Sequence, residues 1–174
     1  MKNLIIYFSH QGENYYRSKI KILEKGNSER LALMISNYLE TEVFRIIKKE
    51  AYPSVYKECV ELAKEEYFKK ERPELMTYLK DVSEYENIFL IGPCWIGTYP
   101  MAMFSQLERL DLSKANIYAL ITHEGSGLGN LEYTLKEYCK DINIKDMLAI
   151  NGSYVDESKE EVEKFLIKNK LLIK

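Results

Sequence analysis

Apolar residues in this chain fall into short runs separated by longer stretches with helical spacing. Leu4-Ile5-Ile6-Tyr7-Phe8 and Asn87-Ile88-Phe89-Leu90-Ile91-Gly92 carry no polar alternation, the pattern of strands covered on both faces. Asn116-Ile117-Tyr118-Ala119-Leu120-Ile121 and Asp146 to Asn151 predict two further strands, and Glu42-Val43-Phe44-Arg45-Ile46-Ile47 alternates like a strand with one wetter face. Between them, Leu31, Ala32, Met34, Ile35 and Leu39 predict a helix from Ser28 to Leu39. Tyr56, Val60, Ala63, Lys64 and Tyr67 predict a second helix through Phe68, stopped by Arg72-Pro73-Glu74-Leu75. Helices are also expected from Met101, over Leu131, Leu135 and Tyr138, and from Lys159 to Leu166. Strands alternating with helices in this number predict a doubly wound α/β fold around a five-stranded parallel sheet. Its ligand site is expected at the carboxyl ends of the strands.

Composition narrows this picture. A chain of 174 residues with 46% hydrophobic content can bury one good core but not two, so residues 1–174 are expected to form a single domain. A net charge of −2 and a pI near 5.9 provide no field to attract nucleic acid or an anionic membrane. No run reaches the length of a membrane span, and the first strand begins without a charged leader and cleavage site. A cytoplasmic location is the expectation. Cys59, Cys94 and Cys139 are odd in number and far apart, which supports neither a disulfide framework nor a zinc site.

Candidate chemistry gathers after three of the strands. Ser9, Gln11, Gly12 and Asn14 follow the first, and Gly26-Asn27-Ser28-Glu29 stands just ahead of the first helix. Hydroxyls, amides and unpaired backbone N–H groups at a helix N-terminus suit a phosphate. After the third strand comes Pro93-Cys94-Trp95-Ile96-Gly97-Thr98-Tyr99-Pro100, with the chain's one tryptophan on a stiff loop. After the fourth comes Thr122-His123-Glu124-Gly125-Ser126-Gly127-Leu128-Gly129-Asn130, whose glycines allow a flat ligand to approach the backbone.

Tyr7-Phe8-Ser9 followed by Gly-Asn-Ser and a helix resembles the FMN phosphate loop of the flavodoxin family. Gly12-Glu13-Asn14 or Gly26-Asn27-Ser28 is the equivalent turn. The second is favoured because the helix starts there and Ser28 can stand where the family's threonine holds phosphate. The residues between Ser9 and Gly26 then form an insertion. In it Lys19-Ile20-Lys21-Ile22 alternates as in a small hairpin arm, and Tyr15 and Tyr16 are candidates to cover a cofactor.

Gly-Pro-x-Trp-x-Gly-Thr-x-Pro is similar to the family's flavin-ring loop. The Thr122 segment is similar to its third loop, Thr-Ser-Gly-Gly-Ser-Gly, with His123-Glu124 in place of small residues. The resemblance implies strand order 2-1-3-4-5 and a non-covalent FMN. Ser9, Gln11, Asn14, Asn27 and Ser28 would lie on the phosphate side, and Pro93, Cys94, Trp95, Ile96, Gly97, Thr122, His123, Glu124, Gly125 and Gly127 around the ring.

The implied role is electron transfer between redox partner proteins or small-molecule acceptors. An NAD(P)H-dependent oxidoreductase of quinones is the alternative within the fold, and a non-catalytic protein-interaction scaffold the alternative outside it. His10, Cys94 and His123 share the same edge but lack metal-site spacing, and each histidine is expected to cap a loop or touch the flavin. A Cys94 phosphatase would need a nearby arginine, which the loop lacks.

Overall fold

The computed structural model of the protein describes residues 1–172. Five parallel strands form its centre: β1 (Asn3–Tyr7), β4 (Glu42–Arg45), β5 (Asn87–Pro93), β6 (Asn116–His123) and β7 (Ile144–Asn151). Their spatial order is β4-β1-β5-β6-β7, which within this sheet is 2-1-3-4-5 as expected. A separate antiparallel pair, β2 (Gly12–Tyr16) and β3 (Lys19–Leu23), makes up the arm.

Strand side chains alternate between faces, so each apolar run feeds two cores. Ile5, Tyr7, Phe89, Ile91 and Leu120 face α1 (Asn27–Leu39) and α5 (Lys159–Lys168), meeting Leu31, Ile35, Val162 and Leu166. Leu4, Ile6, Ile88, Leu90 and Ala119 face the other way. There they meet Cys59 of α2 (Tyr56–Phe68), Met103 and Phe104 of α3 (Met101–Leu107), and Leu131 and Leu135 of α4 (Leu131–Tyr138). The uninterrupted hydrophobicity of β5 follows from this double coverage.

Register is fixed at the amino ends of the three central strands by an asparagine ladder. Asn87 Nδ2 donates to Asn3 Oδ1 and Asn116 Nδ2 to Asn87 Oδ1, both at 3.0 Å, and the three residues are paired across the sheet. Partnered amides at one end leave the opposite, carboxyl end for the loops that carry function.

Several boundaries differ from the sequence reading. β1 spans residues 3–7 instead of 4–8, and β4 stops at Arg45 because Lys48 pairs antiparallel with Leu75, turning the chain off the sheet edge. β5, β6 and β7 are longer than expected, and the second helix runs from Tyr56 to Phe68 as read. A 3-10 helix at Gly152–Glu157 follows β7 and was not foreseen.

Beneath the carboxyl edge lies a buried polar cluster. Glu66 accepts from Lys48 Nζ at 2.8 Å and from Tyr52 Oη at 2.6 Å, with side-chain exposures of 2% for Glu66 and 11% for Lys48. Removing one partner of such a pair strands a buried charge. Glu66→Ala should therefore cost about 3–5 kcal/mol. Lys69→Ala, which breaks an exposed pair with Glu65, should leave the denaturation midpoint within error. Urea titrations of both variants check this.

Candidate functional site

β1 ends at Tyr7, and the chain leaves the sheet through Ser9 and His10, makes the arm, and returns at Gly26 to start α1. Gly26 is the helix N-cap and supplies no side-chain hydrogen bond. Ser9 does that work from the strand end, its Oγ accepting the Glu29 N–H at 3.0 Å. A Cβ on Gly26 would fall 2.2 Å from Ser9 Oγ and 2.4 Å from the His10 carbonyl oxygen, so only glycine permits this closure. Of the two turns open in the sequence, Gly26-Asn27-Ser28 is the one at the helix start. Gly12 lies in the arm at φ 103° against the backbone of Ser54.

A cavity of about 290 Å³ opens at this edge. Ser9, Asn27 and Ser28 line it from the helix start, Pro93, Cys94, Trp95 and Ile96 from the loop after β5, and Thr122, His123, Glu124 and Ser126 from the loop after β6. The arm adds Glu13, Asn14 and Tyr15, and α2 adds Tyr56, Cys59, Val60 and Ala63. One end is rich in hydroxyls at a helix N-terminus, whose first N–H groups have no intrahelical partners. That end has the donor set for a phosphate. The rest is aromatic and apolar.

The loops are tied to one another. Ser28 and Thr122 share a hydroxyl hydrogen bond of 2.7 Å, joining the helix start to the loop after β6. Cys94 N–H donates to the Thr122 carbonyl at 2.8 Å, and Asn130 N–H to the Gly97 carbonyl at 2.6 Å. Trp95 and Thr98 close a tight turn in which Ile96 takes φ 51° and Gly97 φ 81°. A left-handed β-branched residue is strained, by about 1–3 kcal/mol. The turn therefore holds Ile96 on the cavity wall at a cost to folding.

Trp95 stands against the edges or faces of three rings, with centroids at 5.5 Å for Phe8, 5.7 Å for His10 and 4.9 Å for Tyr52. Their interplanar angles lie between 71° and 85°, the edge-to-face arrangement favoured by aromatic quadrupoles. His123 caps its own loop, its Nδ1 accepting the Gly125 N–H at 2.9 Å. Burial pushes the Cys94 thiol up, with the Ser126 hydroxyl opposing, which favours the neutral thiol on the cavity wall. Glu124 Oε2 accepts from Ser153 Oγ at 2.5 Å, which places that carboxylate beside the 3-10 helix.

Most of the residues expected at the site line the cavity. Gln11 does not: its amide donates to the Glu24 carbonyl at 2.8 Å and closes the base of the arm. Gly97, Gly125 and Gly127 shape their turns at positive φ without lining the cavity. Tyr15 lines it, whereas Tyr16 lies beside Arg17 and Lys21. Glu13, Tyr56, Cys59, Val60 and Ala63 were missed. The alternation of Lys19 to Ile22, which calls for a partner strand, was the available signal for Glu13, and a helix face toward a cavity reads like one toward a core. Among the described residues, no three His, Cys, Asp or Glu gather closely enough to hold a metal ion.

A doubly wound α/β protein whose α1 start and loops after β5 and β6 meet at one cavity on the sheet's carboxyl edge is thereby defined. The model of the flavodoxin family matches residues 48–169, well over half the chain, and this protein belongs to that family. None of the curated proteins matches it. Among solved structures it is similar to candidate flavoproteins of Bacteroides eggerthii DSM 20697 and Bacteroides uniformis ATCC 8492. The first is 19% identical with a TM-score of 0.70, covering 93% of this chain and 98% of the other. The second is 20% identical with a TM-score of 0.72, covering 93% and 97%. A flavoprotein of Lactobacillus acidophilus NCFM in complex with FMN is 16% identical, with a TM-score of 0.65 over 90% of this chain and 97% of that one. At these identities the likeness is one of fold.

Burial lowers the His10 imidazole below its ordinary value. The unfolded chain therefore takes up a proton that the folded state excludes, and stability falls as pH drops below about 6.5 toward the folded value. His10→Gln should lose less stability than the wild type between about pH 7.5 and about pH 5.5, as measured by urea denaturation at the two values.

Proposed function

We propose that this protein binds FMN non-covalently and serves as an electron-transfer flavoprotein. The observation that carries the reading is the convergence of the α1 start and the two ring-type loops on one cavity, hydroxyl-rich at the helix N-terminus and aromatic beyond it. The residues present fit the group. Gly26 lets the strand end and the helix start close on each other, and Ser9, Asn27 and Ser28 bring hydrogen-bonding groups to that part of the cavity. These residues would hold the phosphate, while Trp95 and the segment from Thr122 to Ser126 would flank the ring. Family membership and the FMN in the Lactobacillus acidophilus protein support the same reading.

Redox chemistry comes from the cofactor when it is bound. The chain's own part is to orient it, exclude water and set the local charge. Carriage of electrons between redox proteins is the first reading of that role. A second reading, NAD(P)H-dependent reduction of quinones or similar acceptors, is favoured by the chain's near-neutral charge, because carriers that dock protein partners rely on charged surfaces for steering. NAD(P)H oxidation with a quinone acceptor separates the two. No helix among the described residues is long and apolar enough to cross a membrane.

The visible spectrum of the protein, recorded before and after FMN addition and with the released cofactor identified, should show flavin bands and FMN. Gly26→Ala should weaken FMN retention by more than about tenfold, since the new Cβ displaces the Ser9 hydroxyl and the His10 carbonyl from the cradle. A colourless protein that binds no FMN would return the scaffold reading.

Glu124 adds negative charge beside the ring loop and opposes the charge gained on reduction. Glu124→Gln should raise the flavin midpoint potential, read by anaerobic redox titration. An unchanged potential would remove Glu124 from the set of tuning groups.

A further inference from the structure

The charges on the cavity wall are one-sided. Among the described residues no lysine or arginine lines it, whereas Glu13 of the arm and Glu124 of the loop after β6 do. Both carboxylates act as hydrogen-bond acceptors, Glu13 Oε2 for the Tyr56 N–H at 2.8 Å and Glu124 Oε2 for the Ser153 hydroxyl at 2.5 Å. A phosphate monoester brings a further charge of about −1.5 to −2 at neutral pH. A helix N-terminus answers with only about half a positive charge. The hydroxyls and N–H groups at the α1 start can therefore satisfy phosphate oxygens while leaving most of the charge without a counterpart.

Two imidazoles on this wall could become cations, and their hydrogen bonds separate them. His123 Nδ1 accepts the Gly125 N–H at 2.9 Å, so a proton there would break the cap of its own loop. His10 Nε2 is buried without a partner and is not committed to the protein in this way. The position of His10 suits a charge shared along the cavity. Its carbonyl closes on Gly26 at the start of α1, and its ring centroid lies 5.7 Å from that of Trp95.

The titratable groups that line the cavity with His10 come from each element around it. Glu13 and Tyr15 belong to the arm, Tyr56 and Cys59 to α2, Cys94 to the loop after β5, and His123 and Glu124 to the loop after β6. On α1, Glu29 turns toward Arg45, at 3.5 Å. Burial lowers the His10 imidazole, so with no anion beside it the neutral ring is favoured. An opposite charge within about 4–6 Å reverses that preference.

We propose that His10 takes up a proton when FMN binds and, as imidazolium, supplies the positive charge that the cavity wall otherwise lacks for the phosphate. This rests on the FMN reading above. The proton comes from solvent, and no covalent bond of the cofactor changes. The site then distinguishes flavins by charge, because riboflavin presents the same ring without the anion.

The test titrates full-length protein, freed of flavin, with FMN in a calorimeter at about pH 7, in two buffers of different ionisation enthalpy. The difference in heat counts the protons exchanged. The wild type should take up more than about half a proton, and its FMN affinity should fall by about tenfold between about pH 6.5 and about pH 8.5. His10→Gln should take up none and should bind about tenfold more weakly than the wild type at about pH 6.5, with an affinity that stays within about twofold over the same range. Riboflavin should cause no uptake in the wild type. The chain has two histidines, so imidazole resonances followed against pH give a second measurement that decides if His10→Gln fails to fold. FMN should move the His10 titration to higher pH.

A wild type that binds no FMN at any of these pH values would overturn the earlier reading and this proposal with it. FMN binding without proton uptake, uptake that persists in His10→Gln, equal uptake with riboflavin, or a His10 titration that FMN leaves in place would overturn the proposal alone.

Discussion

Everything at the carboxyl edge depends on one close approach, that of Gly26 to Ser9 and His10. The chain leaves the sheet and comes back to the same point, touching its own path before α1 begins. Closing a loop costs entropy that grows slowly with its length, so once the ends are fixed the excursion between them can be long. Ser9 then serves the helix as a cap borrowed from the strand. The arm is in this sense an addition to the strand-loop-helix unit that leaves the unit's geometry intact. Any side chain at residue 26 would break the strand end, the cap and the turn into α1 together.

The rest of the edge is stiffened by cross-links between loops. The Ser28–Thr122 hydroxyl pair, the Cys94–Thr122 and Asn130–Gly97 backbone bonds, and the hydroxyl contact of Thr98 with Thr134 bind the helix start to the loops after β5 and β6. Such fixing is what allows Ile96 to persist at a strained φ. It also means that binding groups are placed before a ligand arrives, which reduces the ordering cost of binding. Beneath them, the Lys48–Glu66–Tyr52 cluster fixes the ring on which Trp95 rests.

The strands were legible because those buried on both faces have an uninterrupted apolar pattern, as in β5, and α2 because it has helical spacing between two clear breakers; the strand order came with the family resemblance. The helix start was legible from Gly26-Asn27-Ser28, whereas the place of Gln11 at the base of the arm was not: an amide in a loop gives no sign of which backbone carbonyl it will bind. The arm was only half visible. Lys19 to Ile22 alternate, but their partner Gly12-Glu13-Asn14-Tyr15-Tyr16 carries no apolar alternation. The turn at Arg17 and Ser18 takes positive φ without the glycine or asparagine that usually announces it. The 3-10 helix at Gly152–Glu157 was invisible for a related reason. Its value lies in Ser153, Asp156 and Glu157, which are partners for Glu124, Arg30 and Arg17 far away in sequence.

Trp95 is the chain's only tryptophan among fourteen tyrosines, and it lies on the cavity wall. Its placement makes the molecule self-reporting. Tryptophan emission from this protein arises at a single position, beside His10 and Tyr52, so a change in that emission has one address. Occupancy of the cavity and collapse of the aromatic cluster behind it register in the same unlabelled signal, and the remainder of the fold stays silent in it.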